Sequence, residues 1–288
     1  MKLSATTVAL PHLSLVEQAA LLADLGYDGM ELRVRRVSPE ARAKAEPSAW
    51  GYHVNDITPE NFAAKAPEIR RVLADHGLAL AGVASAASCT ELDHIRLLVD
   101  GAVAAGAPFI RVGASAGFKP DGSQDYWQIF GETLAGYARA LQISRGSGVR
   151  IVLEIHGNTI HCSASLAHRL VSHFDPADVG VIYDPQNMVK DGFETTALAV
   201  QLLGPYIAHC HLGGHRPLPV TEVDAKGTAQ WRWEGCRLAD GLYHVPTLLT
   251  HLQRIGYRHF LSIEDFRPGD PREKLRDAVA YLRSLETA

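Results

Sequence analysis

The chain has 288 residues, of which 47% are hydrophobic and 21% charged, so it is long enough to bury a large core. Its formal net charge is -4 and it has no long run of Lys or Arg, which argues against a nucleic-acid partner. No stretch approaches the roughly 20 apolar residues of a membrane span. The amino terminus, interrupted by Pro11, lacks the character of a secretory signal. The cysteines are scattered without CxxC spacing, so we expect reduced thiols and a cytoplasmic location.

Short apolar or β-branched runs alternate with longer segments of helical period from one end of the chain to the other. This alternation is typical of βα units around a parallel sheet, and eight such units close a (β/α)₈ TIM barrel. We therefore predict an α/β fold with a single domain over residues 1–288. The predicted strands are 3–10, 29–34, 78–85, 109–114, 150–156, 179–183, 207–212 and 259–265.

The helices between these strands carry recognisable start and stop signals. Ser14 with Glu17 forms a capping box, and Thr58 and Asp270 each precede a proline at the first helical position. No GxGxxG turn follows the first strand, which argues against a dinucleotide site. Four glycines are predicted to end helices just before a strand: Gly26, Gly77, Gly106 and Gly256.

Residues 213–243 form the one long stretch without a helical or strand pattern, and we predict a loop there. Long loops in compact domains are usually functional, and this one follows strand seven on the catalytic face of the barrel. It contains Trp231 and Trp233, which we expect either to cover a sugar face or to pack against a neighbouring subunit.

Ligating side chains stand at the carboxyl ends of the last four predicted strands, where a barrel builds its active site. They are Glu154, Asp184, His211 and Glu264. Three carboxylates and an imidazole suit one divalent ion such as Mn²⁺, Mg²⁺ or Co²⁺, with Zn²⁺ as a further candidate, and leave positions open for substrate oxygens.

Several motifs around these residues resemble one known family. They are GYDGMELR from residue 26, LEIHGN from 153, YDPQN from 183, HCHLGG from 209, ADGLYHVPTLL from 239 and GYRHFLSIEDF ending at 266. The chain resembles, over nearly its whole length, the xylose isomerase-like TIM barrels of the sugar phosphate isomerase/epimerase superfamily. The resemblance implies that Glu154, Asp184, His211 and Glu264 bind the metal. It also implies that Glu154 and Glu264 are the catalytic acid/base pair, and that the protein forms a homodimer or homotetramer.

The sequence departs from many epimerases of this family at two places. Asn187 replaces a second histidine after the strand-six aspartate, and HCHLGG replaces the HxHxKD pattern of strand seven. We expect Asn187, His209 and Arg216 to contact the substrate, with Arg216 replacing a missing polar contact. Asn187 is equally suited to holding a turn.

Three further residues have two interpretations each. His156 is predicted to bind substrate, with a structural core histidine as the rival. Trp50 either stacks on a sugar ring or only closes a loop. Glu31 either pairs with an arginine such as Arg33 or Arg111, or supports the metal ligands from behind.

The leading hypothesis is a metal-dependent isomerase or epimerase of a sugar, ketose or keto-polyol that transfers a proton next to a metal-bound carbonyl, through an enediolate. No phosphate-cradling loop is evident, which favours an unphosphorylated substrate. The main alternative is a lyase on the same site, either dehydrating an inosose or cleaving a 3-keto-glycoside. More distant alternatives are an AP-endonuclease-like phosphodiesterase, which the negative charge disfavours, and a non-catalytic barrel.

Overall fold

A computed structural model describes residues 1–119, 121–223 and 226–286, and for residues 221 and 222 only the backbone. Eight parallel strands form a closed barrel in the order β1-β10-β7-β6-β5-β4-β3-β2, with helices in the connections between them. The barrel strands are β1 (Lys2–Thr6), β2 (Gly29–Arg33), β3 (Ala79–Ser88), β4 (Phe109–Gly113), β5 (Arg150–Glu154), β6 (Val179–Tyr183), β7 (Ile207–Leu212) and β10 (Phe260–Ile263). The fold prediction is therefore confirmed.

Ten α-helices occur in the described part of the chain. They are α1 (Leu15–Asp24), α2 (Pro39–Lys44), α3 (Pro59–Asp75), α4 (Leu92–Ala105), α5 (Tyr126–Ser144), α6 (Ala164–Val171), α7 (Pro185–Asp191), α8 (Thr196–Leu203), α9 (Val245–Arg254) and α10 (Pro271–Ser284). None of them, over the residues described, combines the length and apolar character that crossing a membrane requires.

The local signals in the sequence produce the expected helix ends. The Ser14 side chain accepts from the Glu17 backbone N–H while the Glu17 side chain accepts from Ser14, which completes the capping box of α1. Pro59 and Pro271 begin α3 and α10. The four predicted stop glycines all have a positive φ, between 66° and 81°, a conformation that favours glycine because it has no Cβ.

The strand boundaries differ from the prediction mainly at the barrel ends. β1 stops at Thr6 because the chain turns into a short 3-10 helix (Thr7–Ala9), where the Thr6 side chain accepts from the backbone N–H of Val8. β3 runs three residues further than predicted and changes register against β4 between Val83 and Ala87. β5 and β10 stop at Glu154 and Ile263, so His156 and Glu264 lie just beyond the strands.

The prediction of an irregular loop over residues 213–243 is wrong. Strands β8 (Gly214–Val223) and β9 (Ala229–Cys236) form an antiparallel hairpin, followed by a short 3-10 helix (Leu238–Asp240). Cross-strand pairs such as Pro217 opposite Trp233 and Pro219 opposite Trp231 hold its register. An alternating pattern was missed because prolines and glycines interrupt it, although edge strands tolerate proline. Residues 224 and 225 of this stretch lie outside the described residues.

The interior of the barrel changes character along its axis. Phe109, Val152, Ile182 and Ala208 form a small apolar cluster, and the Phe109 ring packs against His209 with 5.0 Å between centroids. Arg111 and Glu154 come two residues later on the same strands, so their side chains point to the same side one layer nearer the carboxyl ends. A polar layer therefore lies on an apolar floor, and it faces the end of the barrel where catalytic sites are built.

Candidate metal centre

Four side chains from four adjacent strands meet at the carboxyl end of the barrel. Glu154 ends β5, Asp184 follows β6 as the N-cap of α7, His211 lies in β7, and Glu264 follows β10. All four are buried, and each offers one ligand atom within 4.8 Å of the others. The structure thus brings together the complete set of metal ligands predicted from the sequence.

His211 lies between the other three ligands. Its Nδ1 is 3.3 Å from Glu154 Oε1, 3.5 Å from Glu264 Oε2 and 3.8 Å from Asp184 Oδ2. One nitrogen and three carboxylate oxygens therefore converge on one small volume. The two glutamates predicted as acid and base both border it.

Glu31 holds the opposite side of the His211 ring. His211 Nε2 is 3.1 Å from Glu31 Oε1, and Ser262 Oγ donates to Glu31 Oε2 at 2.7 Å. Burial alone would raise the pKa of Glu31, but His211 and His209 outweigh it and hold the pKa well below the usual range. An ionised carboxylate only accepts, so Nε2 donates the proton and Nδ1 is directed at the carboxylates.

Glu31 forms no ion pair with Arg33 or Arg111, so the structure favours the second of its two interpretations. It is fully buried among His209, His211 and Ser262. Strand alternation from an inward position on β2 explains this, because a side chain facing the barrel axis meets strands on the opposite wall. Its contacts are those of a residue that supports a metal ligand from behind.

Arg111 is the cation that directly contacts the ligand set. Its Nη1 forms an ion pair with Glu154 Oε2, and its Nε donates to the Ser85 carbonyl at 2.8 Å. Burial raises the pKa of Glu154, but Arg111 and then His211 outweigh it and hold the pKa far below the usual range. Both oxygens of Glu154 are thus engaged, one by Arg111 and one by His211.

The other two carboxylates, Asp184 and Glu264, repel each other and Glu154 when no cation lies between them. Burial, and next the neighbouring charge of Glu154, raises the pKa of both Asp184 and Glu264, to about 8 for Glu264, although His211 acts in the opposite direction. Like charges this close cannot all ionise unless something positive sits between them. A divalent ion would relieve the repulsion, and the oxygen-rich donor set fits one.

Two predicted substrate contacts are engaged in supporting roles. Asn187 Nδ2 donates to Asp184 Oδ2 at 2.6 Å, and its backbone N–H donates to Asp184 Oδ1 at 2.9 Å. His209 is 1% exposed inside the barrel, with Nε2 3.3 Å from Glu31 Oε2. Both residues therefore adjoin the predicted ligands or Glu31.

A cavity of about 330 Å³ opens beside Glu154. It is large enough for a small sugar. Arg111, Thr159 and His156 line it, and His156 is exposed with Nδ1 2.8 Å from the Gly157 carbonyl oxygen. Of the four predicted ligands only Glu154 reaches the cavity wall, so His156 is the predicted substrate contact that the structure places beside it.

Among the contacts of the described residues, none joins Trp50 or Arg216 directly to one of the four predicted ligands. Trp50 is 62% exposed, with its ring 5.1 Å from that of Phe266 and from the guanidinium carbon of Arg35. Arg216 is on the hairpin, where its guanidinium donates to Glu234 Oε2. The structure therefore gives Arg216 a local partner and does not bring it to the metal centre.

The sequence interpretation missed three residues of this region. Arg111 appeared only as a partner for Glu31, and Arg35 and His161 were not considered. His161 is 3% exposed, lines the cavity, and has its pKa lowered to about 4 by burial. The signal for Arg111 was present, because it lies two residues after Phe109 and so faces the barrel axis. His161 follows a turn that no periodicity marks.

A family model described as "xylose isomerase-like TIM barrel" matches residues 19–285. The chain belongs to this family. The match extends over nearly all of the chain and includes every strand whose end contributes a ligand. The resemblance noted from the sequence motifs is thereby confirmed.

Solved structures share the same barrel at low sequence identity. The 3-keto-D-glucoside 4-epimerase YcjR from E. coli has a TM-score of 0.71 and 15% identity, covering 99% of both chains. The probable 3-DHS dehydratase AsbF from Bacillus anthracis has a TM-score of 0.69 and 17% identity, and the match covers 98% of this chain and 99% of AsbF. A xylose isomerase-like TIM barrel protein from Mycobacterium smegmatis in complex with magnesium has a TM-score of 0.70 and 16% identity. This match covers 99% of this chain and 96% of the other.

These likenesses establish the fold, which serves both an epimerase and a protein described as a probable dehydratase. No curated protein sequence matches the chain. The choice of reaction therefore depends on the chemistry of this family member's own side chains.

Proposed function

We propose that the protein is a divalent-metal-dependent isomerase or epimerase of a sugar, ketose or keto-polyol. One observation carries the proposal: Glu154 and Glu264 approach the same nitrogen, His211 Nδ1, from two separate strands, at 3.3 and 3.5 Å. Two carboxylates that reach one centre from separate strands can act on the same substrate carbon, one removing a proton and the other returning it. The structural relative in complex with magnesium and the structural relatives that are sugar epimerases support this proposal.

Glu154, Asp184, His211 and Glu264 would hold the ion, which when bound polarises a substrate carbonyl as a Lewis acid. Mn²⁺, Mg²⁺ and Co²⁺ all suit the donor set. Two neighbouring residues set the protonation of the ligands. Glu31 keeps the His211 proton on Nε2, and Arg111 keeps Glu154 ionised.

The substrate would enter the cavity beside Glu154, where Thr159 and His156 offer a hydroxyl and an imidazole to sugar hydroxyl groups. Glu154 and Glu264 then move the proton at the carbon next to the carbonyl. Their positions at the ends of rigid strands keep the carboxylates in place during the transfer.

The test is an exchange experiment with the metal-loaded protein in D₂O, using a panel of ketoses and inososes. We expect deuterium at the carbon next to the carbonyl, without loss of water or of any other group. Glu264→Gln should lower kcat by at least about 100-fold, the usual range for losing a positioned acid or base. Glu68→Gln, at an exposed position on α3, is the matched control and should leave turnover unchanged. Normal metal binding with full turnover in Glu264→Gln would contradict the proposal.

A lyase, such as a dehydratase, is the second candidate, and one observation favours it. Arg111 holds Glu154 Oε2 in an ion pair and lowers the basicity of Glu154, while the pKa of Glu264 is raised. Carboxyl groups whose pKa values are pushed apart suit a reaction with one base and one acid. The same exchange experiment decides: release of water or of an aglycone assigns a lyase, and retention of all atoms with deuterium gain assigns an epimerase or isomerase.

A further inference from the structure

Two arginines near the metal centre lack a directly paired carboxylate in the described part of the chain. Arg33 ends β2 and Arg35 follows two residues later. Neither forms an ion pair with a carboxylate among the residues described, although other arginines of this chain do. Asp56 is the carboxylate whose charge acts on the pKa of Arg33, and Asp56 is itself paired with Arg42.

Arg33 is buried with unused donors. It is 2% exposed, its Nη2 donates to the Gly51 carbonyl at 2.6 Å, and its Nε and Nη1 are buried without any hydrogen-bond partner. It lies two residues after Glu31 on the same face of β2, so its side chain enters the barrel one layer nearer the mouth. A buried guanidinium with two unsatisfied donors is costly unless a ligand or an ordered water completes it.

Arg35 connects this cation to the reaction centre. Its Nε is also buried without a partner, no hydrogen bond in the described part of the chain uses its side chain, and its guanidinium lies beside the Trp50 ring. Burial, followed by the charges of Arg111 and Arg33, lowers the pKa of Arg35 to about 10, and Glu154 and Glu264 act in the opposite direction. The Trp50 ring also packs against Phe266, two residues after Glu264, so Arg35 lies near the strand end that carries this proposed acid/base group.

Compensation of the ligand carboxylates does not account for these arginines. Arg111 already forms the ion pair with Glu154, and Glu31 is held by two histidines. A divalent ion would neutralise the charges of Asp184 and Glu264. Glu31 is then the one carboxylate of the centre left to balance Arg33 and Arg35, so at least one of these two guanidinium groups is in surplus. A guanidinium in that position is suited to bidentate binding of a carboxylate or a phosphate.

We propose that Arg35, assisted by Arg33, binds an anionic oxygen group of the substrate, either a carboxylate or a phosphate ester, beside the metal centre. This rests on the proposed function and narrows it from sugars in general to acidic or phosphorylated ones. The Trp50 ring beside the Arg35 guanidinium limits its motion, which reduces the entropy lost when it binds an anion.

The test uses three ketoses with the same keto group that differ at carbon 6: D-fructose, D-fructose 6-phosphate and D-fructuronate. Their affinities for the Mg²⁺-loaded full chain are measured by calorimetry. We expect one of the two anionic ketoses to bind at least about tenfold more tightly than D-fructose, as a charge-assisted pair provides. The tighter one identifies the group, phosphate or carboxylate.

Arg35→Gln should remove this preference, and Arg35→Lys should retain part of it. Arg36→Gln is the matched control, because Arg36 is an exposed neighbour that pairs with Glu60, and it should behave like wild type. Circular dichroism and metal content establish that each variant is folded and loaded. No preference for an anionic ketose, or a preference that survives in Arg35→Gln, would overturn the inference.

Deuterium exchange separates this result from the proposed reaction. Anion-selective binding without exchange into any ketose would contradict the epimerase proposal and leave the anion site supported. Exchange into neutral ketoses with no anion preference would support the reaction and remove the anion site.

Discussion

At the residue scale, the centre is organised around a single imidazole. His211 faces three carboxylates with Nδ1 and one with Nε2, so the ring is fixed from both sides. A metal-binding histidine whose second nitrogen donates to a carboxylate is a recurrent arrangement, because the carboxylate sets the tautomer and raises the basicity of the ligand. On the proposed function, Glu31 and Ser262 would thereby influence how strongly the centre binds an ion.

Removing the Glu31 carboxylate should weaken metal binding without unfolding the barrel. In Glu31→Gln the amide oxygen can still accept from His211 Nε2, but the charge that raises its basicity is lost. We expect a loss in Mn²⁺ affinity of roughly 10- to 100-fold, measured by calorimetry. Glu31→Ala should lose more, since His211 and His209 would both lack their partner. Equal affinity in wild type and Glu31→Gln would show that Glu31 does not position the ligand.

At the scale of elements, close contacts between helices hold the outer layer in register. Gly101 of α4 packs directly against the Phe62 ring of α3, and a Cβ at position 101 would overlap that ring. Gly131 of α5 has open space around it. The two glycines occupy similar helical positions in the sequence, and only the packing distinguishes them.

Gly101→Ala should therefore destabilise the protein, and Gly131→Ala should stabilise it. The first forces the Phe62 ring out of its place, which costs typically about 1–3 kcal/mol. The second gains the helix propensity of alanine over glycine, about 0.8–1 kcal/mol, because nothing opposes the methyl group. Chemical denaturation of the two variants measures both changes, and destabilisation by Gly131→Ala would refute the packing explanation.

The hairpin β8–β9 is the element whose function the sequence left open. Trp231 and Trp233 project from β9 with 63% and 39% of their surface exposed. The prediction of a homodimer or homotetramer gives them a role, since exposed aromatic residues are enriched at contacts between chains. Trp231→Ser combined with Trp233→Ser should shift the protein to a monomer in analytical ultracentrifugation, with Trp127→Ser, on α5, as a control of similar exposure. An unchanged sedimentation coefficient would remove the hairpin from the subunit contact.

At the scale of the whole molecule, the candidate metal centre joins four strands of the barrel, so an ion bound there would couple its binding to folding. The carboxylates come from sequence positions 110 residues apart, between Glu154 and Glu264. In the metal-free protein, the raised pKa of Glu264 makes folding less favourable as the pH rises from about 4.5, where this group ionises in the unfolded chain, to about 8.

Metal binding should reverse this effect and depend on pH in the same window. The ion requires ionised Glu264, so below pH 8 it displaces a proton, and affinity should rise about tenfold per pH unit before levelling off above pH 8. Saturating Mg²⁺ should raise the Tm by roughly 5 °C relative to EDTA-treated protein. Asp184→Asn serves as the control, with no metal-dependent shift. A pH-independent affinity between pH 6 and 8 would contradict the protonation of Glu264 in the metal-free protein.

Much of the molecule is encoded locally, which is why the sequence alone determined it. Helix starts at Ser14 and Thr58, stop glycines such as Gly26, and the alternating apolar strands depend on neighbours a few residues away. Counting those units determined the closed barrel. Residues at the carboxyl ends of its strands then gave the predicted metal ligands, because the fold places the carboxyl ends of all eight strands at one mouth.

Only the tertiary structure decided which side chains meet across the barrel. Glu31 contacts His211, which lies 180 positions away in the sequence. Arg111 forms an ion pair with Glu154 Oε2, and the position of Arg111 on its strand did not predict this partner. The hairpin at 214–236 and the unpaired state of Arg33 and Arg35 likewise depend on which groups pack around them. Burial, pairing and pKa are properties of an environment assembled from distant segments, so no local pattern in the sequence contains them.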